Sequence, residues 1–394
     1  MRLLVLAFAG ALACGSTVPA VAQTEAPDHT QAMTTQWRVR PAPGLDALML
    51  LGAASGDALQ SGYYSEEIVF IRGQLDPAAV AAMDRIGQRI RSHDLLVGPL
   101  LALLFSAGPV DSLQDIITSA GDPDRYLRPG FEASPSWDAE RYAGLRGLMP
   151  DILTVLEGFR TSGFETWYAE RFMPDIALAI DRNLAAVSAH DIIPEQARLL
   201  GQDLEPTVEI LILSFSQPYG IRIIGQRFIA YHGWPGDTQV RVAAHEIFHP
   251  PFDRGDADLR ARLAPLESDP WMISIVENHE PAFGYNSFMG VVNEDSTQAL
   301  DQIVSERIGV GRDPSQRWQH ADDGMHMLAA ALYHAMKEDG FDERGGRYRD
   351  WLISAFDRGL LTPAEVRRRA TAIVGADAVA RWYVVADMPE AATD

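Results

Sequence analysis

Residues 236–252, GDTQVRVAAHEIFHPPF, decide how the rest of the chain is read. They place His245, Glu246 and His249 in the pattern H-E-x-x-H. Side chains four apart on a helix share a face, so His245 and His249 can aim two imidazole nitrogens at one point in space. A carboxylate next to the first histidine can reach a water held at that same point. Val242, Ala243, Ala244, Ile247 and Phe248 surround the polar trio with uncharged side chains, which predicts a buried helix. Asp237 or Thr238 is expected to cap its start. Pro250 and Pro251 must end it at or near His249, because proline disfavours a helical conformation in the residue before it and lacks a backbone donor.

Upstream of the motif, 208–216 (VEILILSFS) and 221–231 (IRIIGQRFIAY) read as two strands, with a turn at Gln217-Pro218-Tyr219-Gly220. Together they predict a hairpin just ahead of the motif helix. Further strands are expected at 37–40 and 66–72 (EEIVFIR). Helical patterning covers 77–91, 95–107, 112–120, 150–160, 164–187 and 194–201 before the motif. After it come 257–266, 288–308, 316–339, 347–358 and 363–373. Roughly eleven helices against four or five strands predict an α+β fold, mainly α, with a small sheet beside the motif helix. The expected division is a helical region over 23–204 and the chemistry-bearing region over 205–394.

The chain has 394 residues and is 47% hydrophobic, which is ample for a large buried core. Its formal net charge of −21 repels phosphate backbones and so argues against a nucleic-acid partner. The same acid excess points to basic or neutral substrates. Residues 1–22 read as a secretory leader: Arg2, an apolar run over 3–13, and the small-residue site Ala20-Val21-Ala22. Export to the periplasm or medium follows. Lipid attachment at Cys14 is the weaker alternative, since Ala11 stands where a large aliphatic residue is usual. Cys14 is the one cysteine of the chain and would leave with the leader. Metal ligands are then confined to His, Asp and Glu. No stretch of the mature chain is long enough to span a membrane; the apolar run over 95–107 falls short of about 20 residues and contains Pro99.

The residues 236–250, with His245, Glu246 and His249, resemble the zincin metallopeptidases, and within them the gluzincins. That resemblance implies one Zn²⁺ per chain, a third ligand from a downstream glutamate, and a substrate-lining edge strand, placed here at about 226–231. Asn293-Glu294, followed by Asp301, matches the downstream pattern and makes Glu294 the third ligand, with Asp301 orienting a ligand imidazole. Glu277, Glu280, His279 and Asp253 are the rivals. Glu294, Gln298, Asp301 and Ser305 fall along one helical stripe, which is also how an ordinary solvated face reads. Asp322-Asp-Gly-Met-His326 resembles the segment of thermolysin-like enzymes that supplies a transition-state donor, which implies that role for His326, with Tyr231 and Tyr285 as rivals. His320 and His334 read as structural.

The expected function is therefore zinc-dependent hydrolysis of peptide bonds in a peptide or protein substrate, with Glu246 as general base. The alternative is a non-catalytic periplasmic binding or envelope protein with a degenerate motif. Residues 23–200 could also serve as a pro-segment.

Overall fold

A computed structural model of the chain describes residues 33–93, 95–135 and 137–383, together with the backbone of Phe8 and Ala9. The expected leader, with Cys14, otherwise lies outside the described residues. The fold is α+β and mainly α. Four strands, β1 (Gln36–Pro41), β2 (Thr207–Leu213), β3 (Tyr219–Ile223) and β4 (Arg227–Tyr231), form one mixed sheet in the order β3-β4-β2-β1. β1 runs parallel to β2 with Trp37 opposite Val208, and β2 parallel to β4 with Leu211 opposite Ile229. β3 is antiparallel to β4, with Ile221 opposite Ile229. Phe8 and Ala9 add two antiparallel residues along β3.

Two expected strands change. The run 221–231 is two strands, because Gly225 turns the chain at a φ of 87° that side-chain-bearing residues rarely adopt. The hairpin is therefore 219–231 by itself, and 208–213 pairs with its second strand in parallel. The strand next to the motif helix is consequently β3, and the stretch 226–231 lies inside the sheet. The second change is at 66–72, which lies within the helix Ser65–Gln74. Glu66 and Glu67 in its first turn and Arg72 in its last suit the helix dipole, which outweighs the β-branched content.

Six helices position the site. α1 (Pro43–Ala54) is buried over nearly its whole surface. Its Asp46 accepts hydrogen bonds from the backbone N–H of Ser214 and Phe215, both 2.7 Å, and from the Tyr168 hydroxyl at 2.6 Å. That carboxylate ties the N-terminal helices to the end of β2. α2 (Met173–Val187) packs on β1 and on α3 (Gly236–Glu246), the motif helix. At the start of α3 a Cβ on Gly236 would stand 2.3 Å from the Ala186 Cβ, so only glycine allows this approach. Side-chain capping by Asp237 or Thr238 does not occur; the cap position is Pro235. Beyond α3 lie α4 (Phe288–Arg307), α5 (Met327–Glu338) and α6 (Pro363–Val374), packed in sequence on one another.

The core has two hydrophobic clusters. One surrounds the sheet and the helices of residues 42–193; the other surrounds α4, α5 and α6. α3 forms the seam. Val240, Val242, Ala243 and Ile247 belong to the first cluster, and Ala244 and Phe248 to the second. No helix among the described residues is long and apolar enough to cross a membrane.

Candidate metal centre

α3 ends at Glu246, and the next turn tightens: Phe248 N–H donates to the His245 carbonyl at 3.0 Å and His249 N–H to the Glu246 carbonyl at 3.3 Å. Pro250 and Pro251 prevent continuation, so His249 projects from a tight turn just past the helix. Its Nε2 still comes within 2.9 Å of His245 Nε2. α4 crosses this end of α3 and brings Glu294 against both rings, with Oε1 3.5 Å from His245 Nε2 and Oε2 3.4 Å from His249 Nε2. These three side chains form the group among the described residues that could hold a metal ion, their ligand atoms all within 4.8 Å of one another.

The donor set fits a cation. Ligand atoms about 2.0–2.2 Å from a tetrahedral ion stand roughly 3.3–3.6 Å apart, which the two His–Glu separations match and the His–His separation slightly undercuts. Glu294 Oε2 is buried and accepts no hydrogen bond. Both outer imidazole nitrogens are directed by neighbours: His245 Nδ1 lies 2.7 Å from Asp301 Oδ2, and His249 Nδ1 lies 3.3 Å from Thr297 Oγ1 and 3.2 Å from Asn293 Nδ2. Thr297 spends its own proton on the Asn293 carbonyl, so its oxygen can accept from His249 Nδ1–H. A proton on His245 Nδ1, accepted by Asp301, leaves its Nε2 lone pair facing inward; at His249 the same tautomer takes Thr297 Oγ1 as acceptor and the Asn293 amide turned to present its otherwise unpartnered Oδ1.

The stripe Glu294, Gln298, Asp301, Ser305 is buried throughout; it is the inner wall of the site and not a solvated face. Gln298 donates to Glu294 Oε1 at 3.0 Å and accepts from Trp318 Nε1 at 2.9 Å. Asp301 is paired with the buried Arg317, whose Nη2 is 2.9 Å from Oδ2.

Burial and charge pull against each other here. Burial raises the Glu246 carboxyl to about 8, only partly offset by His245. Burial lowers the His249 imidazole to about 4. Burial also disfavours charge on His245, but Glu294 and Asp301 outweigh it and raise that imidazole. The Glu294 and Asp301 carboxyls fall below their usual range despite burial, the first through the two histidines and the second through Arg317 and His245. Two carboxylates held ionised, Glu294 and Asp301, around a His249 imidazole held neutral are chemically suited to a divalent cation.

Glu246 is buried, and its Oε2 accepts the Arg222 N–H of β3 at 2.7 Å. The Arg222 guanidinium reaches round the helix end to the carbonyls of Ile247, at 2.8 Å, and His249. The strand beside the motif thus fixes both the carboxylate and the turn that carries His249.

His326 lies elsewhere in the network. Its Nδ1 is 2.6 Å from Asp295 Oδ1 and its Nε2 is 2.8 Å from Asp322 Oδ2, so both nitrogens are engaged by carboxylates. Tyr285 sits edge-on to its ring with centroids 5.5 Å apart, and the phenol lies in the field of Glu294 and Glu246. Tyr231 is half-buried and packs on His232 and Trp234. Glu277, Glu280 and Asp253 are exposed, and buried His279 bonds the Ile275 carbonyl through Nδ1.

No known family model matches the chain, and no similar protein was found among curated sequences or solved structures.

Arg222, Arg317 and Thr297 are the site residues that sequence reasoning missed. Arg317 follows Asp301 by sixteen positions and Arg222 precedes Glu246 by twenty-four, separations with no helical or strand periodicity to mark them. Thr297 had a signal: it stands four residues after Asn293 and three after Glu294, on the same helix face.

Proposed function

We propose that this chain is an exported zinc-dependent peptidase of the zincin type. The observation that carries the reading is the convergence of His245, His249 and Glu294 with Glu246 immediately beside them. Two imidazoles and one carboxylate, with no thiolate, are a donor set characteristic of catalytic zinc with an open position. The ion supplies Lewis acidity toward a water and the scissile carbonyl.

The protein's own residues account for the remaining steps. Asp301, held by Arg317, orients His245, and Thr297 orients His249. Glu246 Oε2 is held by the Arg222 N–H, which leaves Oε1 to take a proton from water and return it to the leaving amine. β3, antiparallel to its neighbour and adjacent to Glu246, is the strand along which an extended peptide would lie, beyond Tyr219 and Gly220 where Phe8 and Ala9 pair. Both nitrogens of His326 are engaged by carboxylates, and Tyr285, edge-on to that ring and in the field of Glu294 and Glu246, is the alternative donor for the developing oxyanion.

The test is hydrolysis of a fluorogenic peptide mixture by full-length protein. Activity should vanish with a chelator, return with one equivalent of zinc, and be absent from Glu246→Gln, which keeps its zinc. Full activity in Glu246→Gln would remove the general base from the mechanism.

A further inference from the structure

A cleft of about 1210 Å³ opens from His249 and Arg222 past Phe252 to Arg254, Arg260 and Arg347. Its volume exceeds what a single small ligand fills and suits several residues of a peptide. Its charge is opposite to that of the molecule. Five arginines line it against Asp253, Asp256 and Glu267, in a chain with 54 acids and 33 bases.

The pairing within the cleft is uneven. Arg222 is used by the carbonyls at the end of α3, and Arg349 is paired with Asp256 at 2.6 Å. Asp253 accepts the Gly255 N–H at 2.8 Å, and Glu267 is exposed. Arg254, Arg260 and Arg347 make no ion pair and no side-chain hydrogen bond among the described residues. Arg254 is the informative one. It is half-buried, its guanidinium is destabilised by burial with no compensating acid, and it repels Arg141 nearby. Leaving a guanidinium partly desolvated and unpaired is costly, and the cost is removed when an anion enters. Arginine's planar fork matches a carboxylate in particular.

We infer that the cleft binds a carboxylate of the peptide substrate at Arg254, with Arg260 and Arg347 beside it, on the side of the site entered past His249. This rests on the peptidase reading and names its substrate class: peptides carrying a free C-terminal carboxylate or an acidic side chain beyond the scissile bond. It reverses the expectation, drawn from net charge, of basic or neutral substrates.

The probes are three hexapeptides of alanine and leucine: one with a free C-terminus, one amidated, and one amidated with a single glutamate near its C-terminus. With zinc-loaded full-length protein, kcat/KM should be about tenfold or more higher for a carboxylate-bearing peptide than for the neutral one, mainly through KM. Whichever of the two charged peptides gains identifies the source of the carboxylate. In Arg254→Ala the ratio of charged to neutral should fall toward one, and Arg254→Lys should restore part of it. Equal kcat/KM for all three peptides in the wild type overturns the inference without any variant. If no peptide is cleaved, fluorescence anisotropy of the labelled peptides on Glu246→Gln decides separately. Tighter binding of charged than neutral peptide, lost in Arg254→Ala, keeps the carboxylate site while the peptidase reading fails. Equal binding overturns both.

Discussion

Glu246 and Asp301 separate the two jobs of the centre. Glu246 is not one of the three residues of the metal group; it is buried with one oxygen pinned by the Arg222 N–H. Glu246→Gln should therefore keep the metal and lose at least about a hundredfold in kcat, the scale of general-base catalysis; metal analysis and steady-state rates on the same sample check both halves. Asp301 acts through His245. Asp301→Asn should weaken metal affinity roughly 10–100-fold, measured by competition with a chromophoric chelator. Asp301→Ala is a different experiment, since it also leaves the buried Arg317 without a carboxylate partner, with Gln302 Oε1 as its remaining side-chain acceptor, and should cost about 3–5 kcal/mol of stability in urea unfolding. His245, Glu246 and His249 are legible in the sequence because four-residue spacing is itself geometry. Glu294 is legible as a residue through the Asn-Glu pattern, but its direction is not. The same polar stripe reads as a solvated face until the end of α3 and the residues Arg317 and Trp318 are seen to cover it.

The elements that were misread share one cause: local pattern is ambiguous where tertiary context decides. Periodicity makes 221–231 a single strand, and the fold at Gly225 is marked only by one glycine. That fold moves 226–231 to the inside of the sheet and puts β3 beside Glu246. The proline stop after His249 is read correctly, since proline acts on its neighbours alone. Its consequence for geometry is not, because the tight turn that keeps His249 near His245 depends on Arg222 gathering the helix-end carbonyls. The close contact of α2 with α3 was silent for the same reason. Gly236→Leu should force these helices apart at Ala186 and destabilise the protein by about 1–3 kcal/mol, read as a lower urea midpoint with unchanged slope. If the midpoint does not move, the helices do not approach as described.

At the scale of the whole molecule, the α+β class and the helical excess are legible from patterning, while the partition of the core is not. The two hydrophobic clusters meet at α3, so the site is held by both, and β1 contributed by residues 36–41 completes the sheet beneath it. Asp46 carries part of that linkage. Removing its carboxylate in Asp46→Ala leaves the Ser214 and Phe215 N–H groups and the Tyr168 hydroxyl buried without an acceptor, at a cost of about 1–3 kcal/mol for each unsatisfied group. His326 makes a prediction in pH. Burial opposes its charge, but Asp295 and Asp322 outweigh it and raise the imidazole to about 10, above the ordinary value of 6.5. The folded state therefore holds a proton that the unfolded state releases across pH 6.5–10. The contribution of His326 is complete below 6.5 and is lost as pH rises through about 10. Thermal midpoints of the wild type should fall over that window more than those of His326→Gln.

The account stands on one claim, that His245, His249 and Glu294 together bind a metal ion. Inductively coupled plasma analysis of purified full-length protein, dialysed against trace-metal buffer, tests it most directly. The wild type should carry about one zinc per chain, and His249→Ala and Glu294→Ala should each carry little or none while remaining folded by circular dichroism. A metal-free wild type that does not take up added zinc, or a Glu294→Ala protein that retains a full equivalent, would contradict it.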